Sequence, residues 1–362
     1  MSTSSLKPEI LISRLSHRPC HLIGAMITIS DPPKPRALAD RLWTHRVSSL
    51  GILDRLPPEI MWMFLDLLDI QSIARFAMVS SRGNTVVRSH RPYRDLVTFA
   101  PHVLAAFGRT GLNGLHSVAE LYAALQTERC AKCKEYGAFL FLPTCERCCW
   151  ECLLCNPSLR MVTPKEAKRY FGLSERYLHR LPTLSVIPGN YGICGDPAPD
   201  PCKLVSVKAA RSLGLMVHGS AEKLAQAMAR RCKSTLALIV GRYLQGEPAV
   251  AQDQDLLLMP CQGNIPTDNF FGMASIPFPS LSRSGRVEDG LWCKGCEVTV
   301  REHDRGRLPG DVLAAVVPPD CGPNRVLVGL ERRARSRESF LEHIKHCYGA
   351  RKLVAELKTG NS

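Results

Sequence analysis

The amino-acid sequence predicts a mainly α protein that carries small α+β modules within an irregular helical body. Apolar residues recur at helical spacing from about residue 54, cysteines cluster in pairs between residues 130 and 155, and turn-rich stretches separate the later helical segments. We predict four regions: a flexible N-terminal extension (1–48), a three-helix module (49–95), a helical segment with a cysteine-rich module at 130–155 (96–200), and a C-terminal helical region (201–362).

The composition is that of a globular intracellular protein. Hydrophobic residues make up 45% and charged residues 22% of the 362-residue chain, which excludes a disordered protein. No run reaches the roughly 18 apolar residues that cross a bilayer, so we expect no membrane partner. The sixteen cysteines follow no signal peptide, which favours reduced, metal-binding thiols in the cytoplasm or nucleus. An unordered extension is favoured over a mitochondrial presequence for residues 10–30.

The chain is strongly basic. Its 47 Lys and Arg outnumber 33 Asp and Glu, for a net charge of +14. Such a surface can attract nucleic acid, anionic membrane or an acidic protein. Aromatic residues are only 6% of the chain and form no stacking motif, so we expect no nucleic-acid partner from charge alone.

The three-helix module begins with helix-start chemistry. Asp54 supplies a capping side chain and Pro58 stands where a missing N–H is harmless. A second helix is predicted from near Ser72, with Val79 among its inward residues, and a short third helix from Thr85 to Ser89. The apolar line of the first helix is Ile60, Phe64, Leu65 and Leu68.

The apolar surface of this module is larger than its own packing requires. The helices are too short to be stable alone in water. Further apolar residues lie off the main line, and a short helix that is apolar nearly all round is buried on more than one side. The second side is covered either by the rest of the chain or by another protein. These further residues are Met61, Trp62, Met63 and Leu67.

The same residues resemble a known pattern. Leu56-Pro57-Pro58-Glu59-Ile60, followed by Phe64, Leu65, Leu68, Ile73, Phe76 and Val79-Ser80-x-Arg82, resembles the F-box. This resemblance implies a three-helix element that binds a Skp-family adaptor, which in turn binds a cullin scaffold. The chain departs from the pattern at Gly83 and Asn84, where the family often has a large residue. The adaptor-binding residues that the resemblance implies are Leu56, Pro57, Glu59, Ile60, Phe64, Leu65, Leu68 and Ile73.

Two cysteine pairs predict a zinc site in the 130–155 module. Cys130-x2-Cys133 and Cys145-x2-Cys148 are separated by eleven residues, and two such pairs supply four thiolates for a tetrahedral Zn²⁺. Thr144 can cap a helix whose first turn carries the second pair, and a helix N-terminus favours thiolate. The spacing leaves other ligand sets open, because further cysteines follow at once: Cys149, Cys152 and Cys155.

A second zinc site is predicted near the C-terminus. Cys293-x2-Cys296 supplies two thiolates, and His343 and Cys347 lie four residues apart on one helix face. The 46 intervening residues are compatible with a shared site, because each doubling of a loop costs only about 0.6 kcal/mol. His346 is the alternative ligand.

Five motifs outside the F-box pattern follow one another along the chain: Tyr93-Arg94-Asp95-Leu96-Val97, Glu128-Arg129-Cys130, Phe139-Leu140-Phe141-Leu142, Thr144-Cys145-x-Arg147-Cys148-Cys149 and Leu291-Trp292-Cys293-x-Gly295-Cys296. In this order they resemble a class of fungal F-box proteins. That resemblance implies a protein-substrate receptor of an SCF-type ubiquitin ligase, with zinc-stabilised modules and an unknown substrate. A four-thiolate site lacks the open position of a catalytic zinc, so we expect no enzyme activity. The alternative is a zinc-dependent nucleic-acid-binding or regulatory protein.

Overall fold

A computed structural model describes residues 7–32, 48–200, 202–246 and 265–359. Helices dominate these ranges, and small sheets of two or three strands connect them. The predicted mainly α class with small β elements is therefore confirmed. No helix in the described ranges has both the length and the apolar character to span a membrane.

The start of the chain is folded, contrary to the prediction of a flexible extension. Residues 7–32 form α1 (Pro8–Leu15), β1 (Ser16–His17) and α2 (Cys20–Gly24). Strand β1 pairs antiparallel with β12 (Trp292–Cys293), and the Ile27 N–H donates to the Ser275 carbonyl at 2.9 Å. The prediction fails here because the partners of this segment lie more than 240 residues away in sequence. The rest of the predicted extension, residues 1–6 and 33–47, lies outside the described residues.

Three helices follow where the F-box is predicted: α3 (Pro58–Leu67), α4 (Ile70–Val79) and α5 (Ser81–Ser89). The Asp69 carboxylate caps α4 by accepting from the Ser72 N–H at 2.7 Å. Helix α5 begins four residues earlier than predicted, because the Ser80 hydroxyl caps it. Gly83 permits this start: a Cβ there would lie 2.7 Å from the Phe76 carbonyl oxygen. The close approach explains a glycine where a large residue is usual.

The main core joins this module to the cysteine-rich segment. It contains the inner sides of α3–α5, and then α6 (Arg91–Phe99), α7 (Pro101–Thr110) and α8 (Val118–Gln126). Strand β2 (Phe139–Phe141) lies between β3 (Glu146–Cys148) and β9 (Ser275–Pro277), and α9 (Trp150–Cys155) follows. The buried Arg147 side chain fastens this sheet to α8, because it donates to four carbonyl oxygens: those of Ala124, Gly137, Phe278 and Pro279.

A second core lies between residues 162 and 244. Strand β8 (Lys203–Ser206) pairs with both β4 (Met161–Val162) and β5 (Thr183–Ser185), so the predicted boundary at residue 200 cuts through a sheet and is corrected. The helical stretch from Ala221 to Gln245 is divided into two helices, because the Ser234 hydroxyl caps the second one. The elements are β4 (Met161–Val162), α10 (Pro164–Tyr170), α11 (Glu175–Leu178), β5 (Thr183–Ser185), β6 (Asn190–Tyr191), β7 (Asp196–Pro197), β8 (Lys203–Ser206), α12 (Val207–His218), α13 (Ala221–Arg231) and α14 (Thr235–Gln245).

The C-terminal helices pack against the N-terminal one. Leu11 and Leu15 of α1 share a third core with Phe340 and Ile344. The remaining elements are β10 (Ser280–Leu281), β11 (Val287–Glu288), β12, α15 (Lys294–Asp304), α16 (Gly310–Val316), α17 (Pro323–Arg332), α18 (Arg337–His346) and α19 (Tyr348–Thr359).

Candidate docking face and metal centres

The outer side of α3 exposes a dense group of apolar side chains. A soluble surface rarely carries so many together, and such patches mark interaction sites. Their exposed fractions are 39% for Leu56, 47% for Ile60, 63% for Met63, 40% for Phe64 and 77% for Leu67. Trp62 of α3 and, at the end of α4, Met78 and Val79 are further exposed apolar residues of this module. We call these eight residues the docking face.

The inner side of α3 is fixed in the main core. Met61 is 5% exposed and Leu65 is fully buried. The buried His90 ring contacts the Asp66 carboxylate at 3.0 Å through Nε2, which ties α3 to the start of α6. Burial lowers the pKa of His90, even though Asp66 opposes this shift. The docking face is thus the outer surface of a helix whose other side is already packed.

Four cysteines of the 130–155 module form the first cluster: Cys130, Cys133, Cys149 and Cys152. Their sulfurs lie within 4.8 Å of one another, and those of Cys133 and Cys149 are 3.5 Å apart. A tetrahedral zinc with Zn–S bonds of about 2.3 Å places its sulfurs about 3.8 Å apart. The spacing is therefore compatible with a zinc ion at the centre.

Backbone N–H groups stabilise the thiolate forms of two of these cysteines, Cys130 and Cys149. The Lys132 N–H donates to the Cys130 sulfur at 3.4 Å. Cys149 is the N-cap residue of α9, and its sulfur accepts from the Cys152 N–H at 3.4 Å. N–H donors and a helix N-terminus both stabilise a negative sulfur.

Electrostatics of the first cluster favours a cation. Hydrogen bonds from the other three thiols lower the pKa of Cys130, and the contact with Cys130 raises the pKa values of Cys149 and Cys152. A negative charge on Cys130 therefore competes with one on Cys149 or Cys152. A divalent cation would end this competition, because it would stabilise four thiolates at once.

Cys145 and Cys148, the second pair predicted from sequence, lie outside this cluster. Cys145 has left-handed backbone geometry (φ 52°) after a short 3₁₀ turn, and burial raises the pKa of its thiol to about 12. Cys148 lies opposite Phe139 in the hairpin, and its thiol donates to the Phe139 carbonyl at 3.6 Å. Thr144 caps no α-helix, because pairing of β2 with β3 keeps residues 146–148 extended. The candidate ligand pair of this module is accordingly Cys149 and Cys152 in place of Cys145 and Cys148.

The second cluster unites all four residues predicted for it: Cys293, Cys296, His343 and Cys347. The Cys296 sulfur and His343 Nε2 are 3.2 Å apart. Burial lowers the pKa of His343, which favours the neutral imidazole that binds metals. Cys293 and Cys296 lie at the junction of β12 and α15, and Cys347 caps the C-terminus of α18. The alternative ligand His346 instead contacts the Glu342 carboxylate at 3.3 Å.

Comparison with known proteins identifies the helical module. Residues 53–95 match the F-box domain. The match contains α3, α4 and α5 together with the docking face. No curated protein and no solved structure matches the chain.

The F-box residues predicted to bind an adaptor differ in burial. Leu65 and Ile73 are fully buried, so these two are corrected from contact residues to core residues. Leu68 is partly buried against the main core and stays a predicted contact residue. The remaining predicted residues are exposed: Leu56, Pro57, Glu59, Ile60 and Phe64.

One residue of the docking face lies where the sequence does not predict it. The sequence places Met63 and Leu67 among the surplus apolar residues, but it predicts an inward position for Val79, which is 74% exposed. The helical period of the apolar residues in α4 does not show that the last turn of this helix projects beyond the core.

Proposed function

We propose that this protein is a non-enzymatic substrate receptor of an SCF-type ubiquitin ligase. Its F-box domain would bind a Skp-family adaptor and thereby a cullin scaffold, and the body after about residue 96 would hold a protein substrate. The observation that carries the proposal is the docking face: apolar, exposed and supported from behind by the chain's own core. A receptor of this kind acts by raising the effective concentration of its substrate at the ligase.

We also propose that both clusters hold structural Zn²⁺. The donor sets are four thiolates in one and three thiolates with one imidazole in the other, and both fill a tetrahedral shell. A filled shell leaves no position for substrate, which supports a structural role over a catalytic one. We call the two clusters with their proposed metal the first and the second centre. The first centre would join the 130–133 turn to α9, and the second would join β12 and α15 to α18.

Adaptor binding is tested by placing charges on the docking face. Full burial of an apolar side chain contributes about 1.5–3 kcal/mol, so the exposed halves of Ile60 and Met63 together contribute about 2–3 kcal/mol at an interface. Ile60→Asp with Met63→Asp removes this term and adds two carboxylates that lose water, so we expect affinity to fall at least about 100-fold.

The measurement is titration calorimetry with a purified Skp-family adaptor. Met216→Asp is the matched control, because Met216 is an apolar side chain of α12 that is 79% exposed. All three proteins should unfold at similar temperatures, since the altered side chains already face water. Equal affinity of the double variant and the wild type would refute adaptor binding through this face.

The net charge of +14 favours one other function, zinc-dependent binding of nucleic acid. Such binding falls steeply with rising salt, because neutralised phosphates release their counterions. Fluorescence anisotropy with duplex DNA and single-stranded RNA at low and high salt tests it. No binding at low salt would exclude this function.

A further inference from the structure

The two clusters differ in their access to solvent. Each cysteine of the first is at most 8% exposed. In the second, His343 and Cys347 are only partly buried. A half-open cavity of about 730 Å³ lies beside them between α16, α17, α18 and α19, and Cys296, His343 and Cys347 form part of its wall.

We propose that the second centre is an exchangeable metal site, which small chelating ligands reach through this cavity, whereas the first centre keeps its metal. The inference rests on the metal binding proposed above. Small-molecule sites typically occupy about 300–1,000 Å³, so the cavity is large enough for a chelator rather than for water alone. Ala315, Val316 and Leu330 contribute an apolar wall that such a ligand can contact.

His343 is the donor that can leave at the lowest cost. Its imidazole is neutral when it detaches and lies at the cavity, so an incoming donor can take its place without stranding a buried charge. In the first centre every donor is a buried thiolate, and a detached thiolate would be left in a poorly solvated interior. Exchange needs no oxidant, because a bond from the chelator to the metal forms as the bond from His343 to the metal breaks.

Loss of the metal from the second centre would affect the packing of α1 against α18. Its cysteines belong to the same core as Leu11 and Leu15 of α1. Arg337 of α18 also binds the Glu9 carboxylate at 2.7 Å, and the Lys294 ammonium donates to the Arg14 carbonyl at 3.1 Å. Loss of this metal would therefore loosen α1 and α18 while the F-box and the first centre stay folded.

The experiment follows zinc in the full-length protein. Native mass spectrometry first counts the bound ions, with one expected per cluster. The chelating dye 4-(2-pyridylazo)resorcinol then reports release, and we expect a fast phase and a slow phase of equal size. N-ethylmaleimide added after the fast phase should alkylate Cys293, Cys296 and Cys347, while the cysteines of the first cluster remain protected.

Two single substitutions at neighbouring residues test whether the chelator reaches the metal through the cavity. Ala315 and Ala314 are adjacent and exposed in α16, but only Ala315 lines the cavity. Ala315→Trp should slow the fast phase several-fold, and Ala314→Trp should leave it unchanged. The inference is overturned if both ions leave at one rate, if first-cluster cysteines are alkylated first, or if Ala315→Trp has no effect. A protein that binds no zinc would overturn the proposed metal binding itself.

Discussion

The ligand set of the first centre can be decided by comparing two serine substitutions. Cys149→Ser alters a sulfur inside the cluster, whereas Cys145→Ser alters one outside it. The spacing of the Cys-x2-Cys pairs alone predicts the opposite result, because it assigns Cys145 as a ligand. The two variants change the same atom type in the same module, so each serves as the control for the other.

The two variants are expected to lose very different amounts of folding free energy. Structural zinc contributes about 10–16 kcal/mol to the folding of small modules, and the loss of one donor in four would remove several kcal/mol of that. Native domains are stable by only about 5–15 kcal/mol, so Cys149→Ser should unfold the module or leave it metal-free. Cys145→Ser exchanges one partly buried thiol for a hydroxyl, and we expect a loss of about 1 kcal/mol or less.

Native mass spectrometry and thermal unfolding supply the measurements. Cys149→Ser should bind one zinc ion fewer than the wild type, and its unfolding temperature should no longer respond to a chelator that strips the first centre. Cys145→Ser should keep the wild-type count. If Cys145→Ser loses zinc and Cys149→Ser retains it, the geometric assignment is wrong.

Three further substitutions test other parts of the fold. Arg147→Met leaves four buried carbonyl groups without their donor and should cost about 3–5 kcal/mol in urea unfolding. Arg335 is buried, donates to backbone carbonyls and acts electrostatically on Cys296, so Arg335→Gln should speed zinc release from the second centre and leave the first unchanged. Gly295→Ala would place a methyl group against the Ala350 backbone nitrogen, so it should lower the unfolding temperature and separate α15 from α19.

The sequence predicts the existence of the F-box helices better than their orientation. Because α3 is apolar nearly all round, the period of its residues does not show which line faces inward. The inner line runs through Met61 and Leu65 instead of Ile60 and Phe64. The difference follows from contacts with α8 and the main core, and these contacts join residues far apart in the chain.

The two metal centres show when the spacing of cysteines in the sequence is enough to predict the four candidate ligands. The second has one Cys-x2-Cys pair and one His-x3-Cys pair, so few combinations are possible, and the predicted four residues come together. The first has seven cysteines within 26 residues. Its ligand pair depends on the pairing of β2 with β3 and β9, and β9 lies over 130 residues away. Local spacing carries no information about that pairing.

The F-box domain packs directly against the body that follows it. The Val118 N–H donates to the Leu68 carbonyl at 2.9 Å, and the Gln71 N–H donates to the Asn113 carbonyl at 3.1 Å. These bonds link the α3–α4 turn to the segment between α7 and α8, outside the F-box match at 53–95. Effective concentration depends on how well a linker fixes distance. For the receptor proposed above, this packing would limit the distances and orientations at which a substrate meets the ligase.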